Sequence, residues 1–179
     1  MVRTHAAFLR AINVAGHAVV GMEDLKRAFE SAGCRGVRTV IQSGNVLFTA
    51  PDRGLEALKG RIRKDLAALL GEAPAIAWRT AEDLRRLAGT DPFDGIEAGP
   101  DIKLYVAFLA GPPGKAAAIP IIEPKDGLEV IGLEGLDAFV VSRRVKGRFG
   151  FPNNLIEKAF GVESTTRNWN TVLKIARLA

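Results

Sequence analysis

The sequence predicts an α+β protein made of two ferredoxin-like lobes of the βαββαβ type, the second irregular, ending in a C-terminal helix. Over residues 1–79, apolar residues at helical spacing alternate with short β-branched runs in the order β-α-β-β-α-β. A looser copy of that order follows over residues 80–179, with no sequence repeat to accompany it. At 179 residues, 47% hydrophobic and 25% charged, the composition is that of a globular chain with a core to bury. The two lobes are expected to pack as one compact unit.

Each element has a local reason. Residues 6–12 are short and apolar, and Asn13 and Gly16 follow, so they read as a strand entering a loop. Met22, Leu25, Phe29 and Ala32 share a helical face, Glu23 and Asp24 suit its first turn, and Gly33 stops it. Residues 37–41 and 46–48 are β-rich and flank Gln42-Ser43-Gly44-Asn45, a hairpin turn centred on Ser43-Gly44. Asp52 is placed to cap a helix whose Leu55, Leu58, Ile62, Leu66 and Leu69 form one stripe up to Gly71. Residues 75–78 supply a fourth strand, and Thr80-Ala81-Glu82-Asp83 a capping box for a short helix.

In the second half, residues 104–109 read as a strand punctuated by Gly111-Pro112-Pro113-Gly114. Residues 128–133 and 138–141 make a hairpin around Glu134-Gly135. Residues 154–160 form a helix with Glu157 placed to return a capping bond, and Gly161 ends it. The last helix is expected to start near Thr165 or Thr166, with Trp169, Val172, Leu173 and Ala176 on one face.

Composition excludes several classes. A lone Cys34 allows no intrachain disulfide, and without a His/Cys cluster neither a zinc site nor any other cofactor is expected. Arg3, His5 and Arg10 interrupt the only apolar stretch near the start, so no secretory leader is read there. No run approaches the roughly 18 apolar residues of a membrane span, and a cytoplasmic setting is expected. The net charge of +5 is unevenly spread. Residues 142–179 hold 8 Lys/Arg against 2 Asp/Glu, while residues 80–141 hold 5 against 11. A basic end suits an anionic partner, although solvated helix faces would account for it equally well.

No GxGxxG, P-loop, HExxH or GxSxG motif is present. His5 and His17 read as surface or strand-end residues, Cys34 as a partly buried thiol, and Asp91 and Asp94 as turn formers around Pro92-Phe93. Three polar segments adjoin apolar elements instead. Arg10 through Asn13 places a guanidinium, suited to carboxylate or phosphate, at the end of the first strand. Gln42, Ser43 and Asn45 offer amide and hydroxyl donors, and equally form an ordinary turn. Residues 164–171 would make an anion site if a helix began there, with Arg167, Asn168 and Asn170 as donors; Trp169 belongs to the core stripe. A fourth segment, Arg143, Arg144, Lys146 and Arg148, could track a phosphate backbone or simply be a solvated loop.

These segments together resemble a known family. Leu9-Arg10-Ala11-Ile12-Asn13-Val14-Ala15-Gly16, Met22 with Leu25, Ile41-Gln42-Ser43-Gly44-Asn45-Val46 and Thr166-Arg167-Asn168-Trp169-Asn170-Thr171 are similar to the hallmark motifs of the bacterial domain-of-unknown-function family 1697. The Asp91-Pro92-Phe93 turn and the strand at 103–109 also fit, so the resemblance spans nearly the whole chain. It implies an α+β fold with ferredoxin-like halves, and no established activity, cofactor or substrate.

The expected function is binding of a small anionic ligand or nucleotide through Arg10, Asn13, Gln42, Ser43, Asn45, Arg167, Asn168 and Asn170. The end of the first strand and the hairpin at 42–45 are expected at opposite ends of the sheet, which counts against one shared site. Two alternatives stand beside it. One is a nucleic-acid-binding module, for which Asn45-Val46-Leu47-Phe48 carries too few aromatics. The other is a ligand-free scaffold whose polar motifs join the lobes. Oligomeric state and enzymatic activity are left open by the sequence.

Overall fold

A computed structural model describes residues 1–10, 20–41 and 43–179. The chain forms two compact units, residues 1–85 with 178–179, and residues 86–177.

The first unit contains β1 (Val2–Leu9), α1 (Met22–Ser31), β2 (Arg35–Thr39), β3 (Asn45–Pro51), α2 (Leu55–Leu70) and β4 (Ile76–Thr80). Its antiparallel sheet has the order β2-β3-β1-β4, the ferredoxin-like arrangement in which strands one and three are central. Leu25 and Phe29 of α1 and Leu58, Ile62 and Leu66 of α2 pack against Ala7, Leu9, Val46, Phe48 and Ile76. Period-3.6 stripes thus meet one face of a period-2 sheet.

Two local expectations change. β1 begins at Val2 rather than residue 6, pairing as far as Val2↔Pro51, because its polar first half sits where the sheet is partly exposed. Asp52 is not the cap of α2: that place is taken by Gly54 at φ 81, with no side-chain bond. The Asp52 carboxylate instead meets the N-terminal ammonium at 3.5 Å and Arg3 at 3.3 Å.

The capping box that opens α3 (Ala81–Thr90) forms as read. The Asp83 N–H donates to Thr80 Oγ1 at 3.0 Å, and the Thr80 N–H donates to Asp83 Oδ2 at 3.0 Å.

The second unit contains β5 (Ile102–Leu109), β6 (Ile121–Glu123), β7 (Leu128–Glu134), β8 (Asp137–Arg143), α4 (Asn153–Phe160) and β9 (Ser164–Asn168), followed by α5 (Trp169–Leu178). The order β6-β7-β8-β5-β9 is antiparallel throughout. Without β6, the order β7-β8-β5-β9 repeats β2-β3-β1-β4 of the first unit. The irregularity is therefore specific: a non-helical segment at 110–120 replaces the first crossover helix, and β6 adds an outer strand. α4 keeps its role, setting Ile156 and Phe160 against Ala107, Leu109, Val130 and Val140.

Residues 164–168 are strand rather than the first turn of the last helix. Tyr105↔Asn168 through Leu109↔Ser164 pair β5 with β9, and the β-branched Thr165 and Thr166 suit that ladder. α5 starts at Trp169, whose ring meets Phe93 edge-on at 5.5 Å. Among the described residues, no helix is long and apolar enough to cross a membrane.

Candidate functional site

The end of β1 and the β2–β3 hairpin lie together, contrary to the expectation of opposite ends. β1 runs antiparallel to β3, so its last residues adjoin the first residues of β3. The Leu9 N–H donates to the Gly44 carbonyl at 2.8 Å, and the Arg10 N–H to the Ala75 carbonyl at 2.9 Å. Arg10, half-buried, thus shares one sheet end with Ser43 and Asn45. Asn13, Gln42 and His17 lie outside the described residues.

Asn45 holds the hairpin. Only 1% exposed, it donates from Nδ2 to the Val40 carbonyl and to Ser43 Oγ, both at 2.9 Å. Those bonds occupy the donors that the sequence offered to a ligand. The turn they close keeps Gly44 at φ 70 and Ile41 at φ 59, a costly conformation for a β-branched residue. Replacing Asn45 with alanine is expected to cost about 2 kcal/mol, since buried acceptors lose their donor. Urea denaturation reads this as a lower midpoint with an unchanged slope.

The C-terminal motif is also committed to structure. Arg167, on β9, is buried and donates from Nη1 to Thr165 Oγ1 at 2.8 Å and to the Thr166 carbonyl at 2.9 Å. Burial pulls its pKa down to about 10, which leaves it cationic at neutral pH. Asn168 is the cap of α5, accepting the Asn170 N–H at Oδ1 at 3.0 Å. Asn170 itself is exposed. Because the helix begins at Trp169 rather than at Thr165 or Thr166, residues 164–168 are part of the β5–β9 ladder and not a helix first turn. The Glu157 Oε1 accepts the Ser164 N–H at 2.9 Å, where β9 begins.

The remaining reactive groups are quiet. Cys34 is buried, and burial raises its thiol pKa to about 11, far from a nucleophile's range. His5 is not a surface residue: it is buried in β1 and stacks on Phe48 at 5.5 Å. Burial lowers its pKa, with Asp52 acting in the opposite direction. Asp91 accepts the Asp94 N–H at its carbonyl, as a turn residue does. Among the described residues, no group of three or more His, Cys, Asp or Glu could hold a metal ion.

The hollow with unpaired cations lies in the second unit, at the fourth segment of the sequence reading. Two turns build it. In the first, which joins β6 to β7, the Gly127 N–H donates to the Pro124 carbonyl and Lys125 and Asp126 sit at the tip. In the second, Val145 and Arg148 exchange N–H···O bonds of 2.8 and 3.0 Å around Lys146 at φ 49 and Gly147 at φ 77. Positive φ at both central positions is the type I′ pattern, where Asn or Gly is usual and lysine is not.

The cavity between these turns is about 420 Å³ and is lined by Lys125, Asp126, Lys146, Arg148, Phe149 and Gly150 with Val145. Lys125, Lys146 and Arg148 make no ion pair among the described residues, whereas Arg143 is paired with Glu129 at 3.6 Å and Arg144 with Asp101 at 3.4 Å. Lys103 Nζ and the Arg144 guanidinium lie 4.3 and 5.1 Å from the Phe149 ring centre, which gathers two more cations at the rim. The sequence reading missed Lys125 and Lys103, which come from other strands and turns. Lys125, Lys146 and Arg148 outnumber the one carboxylate of the lining, Asp126, so the hollow carries an excess of positive charge on a concave surface, which favours an anion.

Two sheets with the same ferredoxin-like strand order, one lacking its first crossover helix, make this chain a two-lobed α+β protein. The profile of the family described as "Protein of unknown function (DUF1697)" matches residues 2–139, and the chain belongs to that family. The Thr166–Thr171 motif falls beyond the matched stretch. The fold is similar to that of the conserved bacterial protein SP0830 from Streptococcus pneumoniae, with a TM-score of 0.66 and 17% identity over 99% of each chain. At that identity the likeness is one of fold. No curated protein matches the sequence.

Proposed function

We propose that this protein binds a small phosphate-bearing ligand in the basic hollow between the Pro124–Gly127 and Val145–Arg148 turns. The observation that carries the reading is the convergence of Lys125, Lys146 and Arg148, which have no ion-pair partner among the described residues, on one cavity of about 420 Å³. Lys146 adds to it. A lysine held at φ 49 costs on the order of 1 kcal/mol that glycine would not, and such strain gathers at functional positions. A nucleic-acid platform on the first sheet draws less support. Phe8 and Leu47, on the face away from α1 and α2, are 0% and 1% exposed and offer no surface for stacking.

Thermal melting with phosphate and pyrophosphate tests the reading. Ligand at a hundredfold excess over its Kd stabilises by about 2.7 kcal/mol, so Tm is expected to rise by several degrees. The double variant Lys146→Glu/Arg148→Glu, on an exposed turn, is expected to melt close to the parent without ligand and to lose the rise. An equal rise in both proteins, or none in the parent, sinks the proposal.

A further inference from the structure

Resting on that reading, we propose that the ligand carries an aromatic base beside its phosphate, and that Phe151 is the platform on which the base stacks. Phe151 directly follows Gly150, which lines the hollow, so their Cα atoms are about 3.8 Å apart. That sets the Phe151 backbone one residue from the cavity wall.

Phe151 has no role in the core. It is 60% exposed, while Phe8, Phe29, Phe48, Phe108 and Phe160 are fully buried. Its ring contacts Tyr105 at 6.2 Å and 75°, which fixes its orientation from one side and leaves the rest open. Pro152 follows, is buried, and restricts the backbone of Phe151 to extended conformations. The backbone of Phe151 is thereby restricted before any ligand arrives, which lowers the ordering cost of stacking there.

Neighbouring residues supply the rest of what a base-bearing anion needs. Phe149 does not compete as a platform, because Lys103 and Arg144 already lie over its ring. An exposed aromatic next to unpaired cations matches the pairing of stacking surface and electrostatic funnel that binds nucleotides in single strands. Free nucleotides and single-stranded nucleic acid share this chemistry, and affinity distinguishes them.

Isothermal titration of the full chain with pyrophosphate, ADP and a short oligothymidylate tests the inference. ADP is expected to bind more tightly than pyrophosphate, and Phe151→Ala to weaken ADP roughly five- to hundredfold while leaving pyrophosphate unchanged. Phe151→Trp is expected to keep or improve ADP affinity. Tighter, Phe151-dependent binding of the oligothymidylate than of ADP would assign the polymer as the source. If pyrophosphate and ADP bind equally and Phe151→Ala affects neither, the base platform is wrong while the anion site stands. If Phe151→Ala weakens both equally, the residue supports the turn and the inference fails. If none of the three binds, both proposals fall.

Discussion

Gly127→Ala is expected to destabilise the second unit by about 3 kcal/mol or more and to abolish anion binding in whatever fraction remains folded. Gly127 sits at φ 65, where a side chain costs roughly 1–2 kcal/mol. An added Cβ would also lie 2.1 Å from the Arg143 carbonyl oxygen and 2.8 Å from the Val145 side chain. The obstacle is backbone, and it is pinned, because the Arg143 N–H donates to the Gly127 carbonyl at 2.7 Å. Overpacking of that kind adds about 1–3 kcal/mol. For a unit of this size the Tm falls by roughly 10–20 °C. A differential scan checks it, and Gly135→Ala is the control. Gly135 has a similar φ of 58 but open space around its Cβ, so only the conformational part of the cost should appear. Equal losses at both positions would show that close packing of the two turns contributes nothing.

Arg167→Ala is expected to cost about 3 kcal/mol, through lost packing and through Thr165 and Thr166 acceptors left without their donor. Arg167→Met keeps most of the stem volume and should lose markedly less, since the cost of burying the charge disappears with it. The Met variant separates two roles for the residue. With Arg167 bonded inside its own strand, Arg167→Met is expected to retain the full pyrophosphate-dependent rise in Tm. Loss of that rise in a folded Arg167→Met protein would return Arg167 to the ligand site.

The sequence was most legible where local chemistry and tertiary packing agree. The stripes of α1 and α2 and the Thr80/Asp83 box are encoded within a few residues of themselves, and they form where they were read except at the end of α2, where Leu69 is exposed and Leu70 packs on the core instead. Misreadings came from residues with two local uses. Ser164-Thr165-Thr166-Arg167-Asn168 is rich in helix caps, yet the β-branched threonines pair with β5 and leave the capping to Asn168 alone. Asn45 resembled a donor for a ligand because its partner at Val40 lies across the hairpin. β6 is three residues long, too short for any periodicity. The basic hollow was half visible: Lys146 and Arg148 stood out as a charge run, but only the β7–β8 and β6–β7 pairings bring Lys125 to them.

The outer strand β6 has a consequence of its own. An open sheet edge is a template on which a second chain can grow, and its hazard increases with its length and flatness. β6 covers the flank of the seven-residue β7 and replaces it with an edge of three residues, next to Pro120 and Pro124. In the first unit the corresponding edge, β2, is interrupted by a bulge between Arg35 and Arg38 and bears both of those charges. Each sheet thus ends on its β2 or β6 side in a strand poorly suited to recruiting another, which makes those two edges weak templates for polymerisation.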